Sequence, residues 1–122
     1  MAKEIASGVI GGLIGAGLMK ITAPPPAITS SKEVIARQSV GAGASVTLKP
    51  STTYKFAIIL FHGDGDAQVR LDITRGTTTV SIYGNEQAIE VLAGESIAIT
   101  AVNTDTAAAR YAPTIEIASL SW

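Results

Sequence analysis

Between Val69 and Thr74 the chain reads V-R-L-D-I-T, apolar and polar residues in strict alternation. A period of two fits a β-strand, whose successive side chains point to opposite faces of a sheet. The same pattern returns at Val80–Tyr83, Ala88–Val91, Ile97–Ala101 and Ile115–Ile117, with shorter, less regular runs at Val34–Val40 and Ser45–Leu48. The run Phe56–Phe61 (FAIILF) is apolar throughout, which predicts a central strand covered on both faces. Turn-forming clusters separate these runs: Gly41–Gly43, Pro50–Thr53, Gly63–Asp66, Arg75–Gly76, Gly84–Asn85, Ala93–Gly94 and Asn103–Thr106. About eight strands at roughly ten-residue spacing predict an all-β fold, a single β-sandwich of jelly-roll or immunoglobulin-like type. The strands are built from Ile, Val and Thr, and no helical apolar period follows residue 22.

The segment before the strands has a different character. Ser7–Lys20 (SGVIGGLIGAGLMK) holds five glycines among aliphatic residues and no charge before Lys20. On a helix, Gly8, Gly11, Gly12 and Gly15 share one sector, while Val9, Leu13, Ile10 and Ile14 lie on the other side. Two overlapping G-x-x-x-G spacings result, the pattern that lets backbones approach closely. Each glycine costs about 1 kcal/mol in an isolated helix, so close packing has to repay the loss. Residues 5–19 would extend only ~22 Å as a helix, against ~30 Å of bilayer hydrocarbon, too short for a lone span. A secretory signal fits Lys3 and the apolar run, but not Glu4 or the prolines after Ala23. We therefore expect residues 1–22 to be an assembly or membrane-contact segment working through Gly8, Gly11, Gly12, Gly15, Val9 and Leu13. Pro24–Pro26 cannot continue a helix and favour a stiff extended backbone. Residues 23–32 read as a spacer ahead of a β-domain at 33–122.

Charge narrows the function. Net charge is −1, so no global field favours nucleic acid. Residues 1–62 nonetheless hold six Lys or Arg against two acids, and residues 63–122 three Arg against eight acids. The absence of cysteine removes disulfides, thiolate nucleophiles and thiolate metal sites. The single histidine, His62, precedes Gly63-Asp64-Gly65-Asp66, a sequence read as a turn rather than a cation loop because the later glutamate of a calcium loop is missing. Asn103 and Asp105 read the same way. Ser45 lacks the G-x-S-x-G elbow and a partner histidine. Glu86, Glu90, Glu95 and Glu116 fall at alternating polar positions or in turns, as on a solvated sheet face. Tyr83, Tyr111 and Trp122 are candidates for a glycan or partner contact, with a place at the rim of the core the simpler reading.

No catalytic constellation, cofactor loop or metal motif emerges, and no enzyme is expected. The expected function is structural: a component of a larger assembly, such as a virion minor capsid, vertex or spike protein, held by its N-terminal segment. The expected partners are further copies and other structural proteins, with membrane contact through residues 5–19 as an accessory. The alternatives are a subunit of an extracellular filament and a carbohydrate- or receptor-binding module. Aromatic patches favour binding modules; symmetric contacts favour an assembly.

Overall fold

A computed structural model describes residues 27–122 of the chain. The expected N-terminal helix and its contact residues Gly8, Val9, Gly11, Gly12, Leu13 and Gly15 lie outside the described residues. The rest is all-β and antiparallel. Eight strands are present among the described residues: β1 (Thr29–Ile35), β2 (Gln38–Val40), β3 (Ser45–His62), β4 (Val69–Arg75), β5 (Thr78–Tyr83), β6 (Gln87–Asn103), β7 (Arg110–Ala112) and β8 (Ile115–Ser121). Six form one sheet in the order β1-β8-β3-β6-β4-β5, and β2 pairs with β7 in a small second sheet. β1 begins at Thr29, opposite Ser121, so the sheet takes in four residues of the sequence-read spacer.

The agreement in strand number conceals a different partition. Ser45–Leu48 and Phe56–Phe61 belong to one 18-residue strand, β3, which runs through the expected turn at Pro50–Thr53. Its register against β6 shifts twice, between Thr47 and Lys49 and between Lys49 and Thr52. Pro50 has no N–H to offer a ladder, and the extra residues of these irregularities accommodate it. The expected turn at Ala93–Gly94 likewise lies inside β6, where Gly94 adopts a left-handed φ of 68°. Conversely, the Val34–Val40 run breaks into β1 and β2.

Gly94 also changes which side chains of β6 face the core. Ile97, Ile99, Ala101 and Asn103 are buried on odd positions, but before Gly94 the buried residue is Leu92, on an even one. A positive φ rotates the strand where most residues would be strained. The inward positions of the first stretch are thereby Ala88, Glu90 and Leu92, leaving Ile89 and Val91 outside.

The sheet thus has two halves joined by β3 and β6. In one, β1 and β8 flank the later part of β3, beside the earlier part of β6. In the other, β4 and β5 flank the later part of β6, beside the earlier part of β3. One core serves both: Ala57, Ile59, Phe61, Leu92, Ile115 and Ile117 from the first, Leu48, Leu71, Ile73, Ile97 and Ile99 from the second. Charged pairs cross the rim between halves. Lys49 Nζ donates to Glu33 at 2.7 Å, while Arg75 donates to Glu90 at 3.0 Å and Glu95 at 3.3 Å. Burial opposes the charge on Lys49, but the hydrogen bond to Glu33 and the nearby Tyr54 hydroxyl outweigh it and raise its pKa.

One end of the core is closed by loops built from hydrogen bonds. The Asn103 side chain is buried, its Nδ2 within 3.1 Å of the carbonyls of Val40, Gly41 and Ala108. Its Oδ1 accepts from Asp105 N–H at 2.9 Å. The Gly63–Asp66 segment does related work: Asp64 accepts from the Thr114 N–H and hydroxyl at 2.7 and 2.8 Å, and Asp66 from Tyr111 N–H at 2.7 Å. Gly84 packs against this loop so closely that an added Cβ would lie 2.6 Å from the Asp66 carbonyl oxygen.

Candidate functional site

Antiparallel partners point to the same face, so the registers assign side chains to the outer surface of the first half. One row runs Lys32, Ala118, Ile58, Val91; the next runs Val34, Glu116, Leu60, Ile89; a third runs Ser30, Leu120, Phe56, Ala93. Most of these residues are apolar. Val34, Ile58, Ile89 and Val91 are 58, 42, 65 and 55% exposed. Isolated surface aliphatics are ordinary, but contiguous apolar surface marks a contact site. Around Ser30, Phe56, Ile58, Ala118 and Leu120 the surface sinks into a shallow apolar hollow of about 240 Å³.

This corrects the expectation for FAIILF. Ala57, Ile59 and Phe61 point into the core, whereas Ile58 stands on the exposed side with Phe56 and Leu60 partly covered. β3 is central in the sheet, yet nothing among the described residues covers its second face. Ile89 and Val91, the apolar members of their alternation, also point outward, while Glu90 points inward to Arg75. The sequence pattern identified the strand but not its phase, because Gly94 reverses it.

A polar corner ends the apolar face. Glu116 accepts from Lys32 at 3.0 Å and lies 2.8 Å from His62 Nε2. The Lys32 ammonium, with His62 beside it, lowers the Glu116 pKa below its ordinary value. Asp64 is pulled up by burial, but its bonds from Thr114 prevail and lower its pKa. Both loop carboxylates therefore already serve backbone amides, and no group of three or more potential metal-ligating side chains occurs among the described residues.

The other residues singled out from sequence do not converge. Tyr111 lies under the Arg37 guanidinium at 3.9 Å, and Trp122 lies 5.4 Å from Lys55 Nζ, beyond the opposite end of β8. Tyr83 is exposed at the end of β5. Ser45 starts β3 on the exposed surface, and Glu86 sits in the β5–β6 turn. A second hollow, about 230 Å³, is lined by Arg75, Thr78, Val80 and Glu95, where the arginine already has its carboxylate partners. Among the described residues no helix is long and apolar enough to cross a membrane.

Comparison with known proteins gives no matching family model, no matching curated protein and no matching solved structure. The candidate site accordingly rests on its own chemistry. A flat aliphatic surface offers no nucleophile or oriented donor; it can lower free energy by leaving water. Covering the four half-exposed aliphatics would contribute on the order of 3–6 kcal/mol, from ~1.5–3 kcal/mol per fully buried side chain.

Proposed function

We propose that this protein is a structural subunit of a larger assembly and that the outer face of β1, β8, β3 and β6 is its contact surface. The observation that carries this reading is the contiguous apolar surface around Val34, Ile58, Ile89 and Val91. It lies on a sheet already supplied with a full core on its other side, so folding of residues 27–122 does not require it. A virion minor capsid, vertex or spike protein is the setting we favour, because small β-domains with Thr- and Ser-rich, cysteine-free surfaces suit exposed particles. A two-layered β-sandwich, with Glu33–Lys49 and Glu90–Arg75 closing its rims, is the architecture that fits this role. The scattered positions of Tyr83, Tyr111 and Trp122 give a glycan-binding reading little support.

Sedimentation of the full chain tests the proposal. A particle several times the 12.5 kDa chain mass is the expected result at tens of micromolar. A monomer at every concentration would overturn it.

A further inference from the structure

The occupant of the apolar face can be argued from where the rest of the chain enters the fold. Residues 1–26 precede the described part and contain an uncharged stretch, Ile5–Met19, made of aliphatic residues and glycine apart from Ser7 and Met19. The chain joins the sheet at Thr29, and the next residue, Ser30, lines the apolar hollow beside Phe56 and Leu120. The longest uncharged segment of the sequence is thus tethered beside the apolar outer face of the sheet.

Dimensions agree. Fifteen residues coiled as a helix extend ~22 Å. The seven residues Phe56–His62 of β3 span a similar ~23 Å, and four strands at ~4.8 Å spacing make a face of comparable width. A helix with glycines along one side can approach a flat sheet closely, as small residues permit between helices. Charge agrees as well: the segment has none between Ile5 and Met19, and the face confines its own to the Lys32, Glu116 and His62 corner.

The linker decides whose face is used. Three consecutive prolines, Pro24–Pro26, stand just before β1. Such a run favours a stiff extension of about 3.1 Å per residue, a sequence property that disfavours a tight reversal onto the same sheet and favours reach toward another copy. We propose that residues 5–19 of one copy dock on the outer face of β1, β8, β3 and β6 of a second copy. This inference rests on the assembly reading above and names the partner. Each copy gives a segment and receives one, a head-to-tail contact that either closes into a ring or grows into a filament.

A mixing experiment on the full chain tests it. Leu13→Lys disables the segment and leaves the face intact; the double variant Ile89→Lys, Val91→Lys disables the face and leaves the segment intact. All substituted face positions are exposed, so circular dichroism should remain β-rich in both. Each variant alone should sediment as a monomer, and an equimolar mixture should give a dimer that grows no further. A Leu13→Lys variant that still self-associates while the face variant is monomeric, the result expected for face-to-face pairing, would overturn this inference and leave the assembly reading standing. A face variant that assembles as well as the parent would overturn both the inference and the assigned contact surface. Two monomeric variants that fail to combine would overturn the inference as well. A monomeric parent would overturn both proposals. Binding of the parent to phosphatidylcholine–phosphatidylserine vesicles, abolished by Leu13→Lys with no change in its oligomeric state, would assign the segment to lipid and overturn the inference.

Discussion

The two halves of the sheet share their inside and differ in their outside. On the half built around β4 and β5, the outward positions are Arg70, Asp72 and Thr74, beside Thr79, Ser81 and Tyr83 and next to Ala98, Thr100 and Val102. Arg70 donates two bonds to Asp72, Ser81 donates to the same carboxylate, and the Thr74 and Thr79 hydroxyls bond each other. That surface satisfies its polar groups internally and faces water. On the half built around β1 and β8, equivalent positions hold Val34, Ile58, Leu60, Ile89 and Val91. Two long strands serve both halves, yet the outward surface is mainly polar in one and mainly aliphatic in the other, the contrast on which the proposed contact surface rests.

The largest effects should come from the shared interior, where the halves ought to behave alike. Ile59→Ala in one and Ile73→Ala in the other both remove fully buried side chains. Each is expected to cost about 2–5 kcal/mol, read from denaturant midpoints with an unchanged m value. A loss confined to one half, or two separate transitions, would break the picture of a single core.

Next in size is the closure of the core's end. Asn103→Ala leaves the carbonyls of Val40, Gly41 and Ala108 without their donor and Asp105 N–H without its acceptor. A loss of about 2–3 kcal/mol is expected, from the cost of buried polar groups left unpaired. A change below 0.5 kcal/mol would show that this end contributes little to holding the halves together.

Outer-face substitutions sharpen the contrast directly. Val91→Thr and Thr74→Val exchange character between the two surfaces, and each should change monomer stability by less than about 1 kcal/mol. Their effects on association should oppose each other, with Val91→Thr weakening it. Equal effects on sedimentation would mean that the faces are equivalent.

The smallest expected effect is that of pH. Hydrogen bonds from Arg70, and then from Ser81, lower the Asp72 pKa; the Ala107 amide and Arg110 lower that of Asp105. Glu116 is lowered by Lys32 and His62. A carboxyl whose folded pKa is depressed adds stability above its unfolded pKa and loses it as pH falls through the folded value. Melting temperature should therefore hold steady from pH 7 to about 5 and decline below the ordinary values of 3.8 for Asp and 4.5 for Glu. Asp72→Asn should flatten part of that decline. An unchanged acid limb would remove Asp72 from the account.

Strand content was legible in the sequence because alternation is a local property. V-R-L-D-I-T became β4 with Val69, Leu71 and Ile73 buried, and the Gly63–Asp66 cluster became a loop between strands. What the pattern could not reveal was continuity and phase. Pro50 and Gly94 are residues that usually end strands, and here each lies inside one: the pairing of β3 with β6 resumes after two register shifts around Pro50 and continues in register past Gly94. The candidate face was missed for the same reason. Ile89 and Val91 carry the signal of an inward face, and only the rotation at Gly94 turns them out. FAIILF did hold a clue, an apolar run longer than one buried face needs.

The position of β8 has a consequence for how the chain is made. Synthesis proceeds from the N-terminus, yet β8 inserts between β1 and β3, two of the earliest strands to emerge. Until Ile115–Ser121 leave the ribosome, β1 has no ladder partner and β3 has one open flank along Phe56–Phe61. The nascent chain must therefore hold the apolar run Phe56–Phe61 beside an open edge while roughly 50 more residues are made. The outer face proposed as the contact surface is completed only once Glu116, Ala118 and Leu120 of β8 have taken their places between β1 and β3.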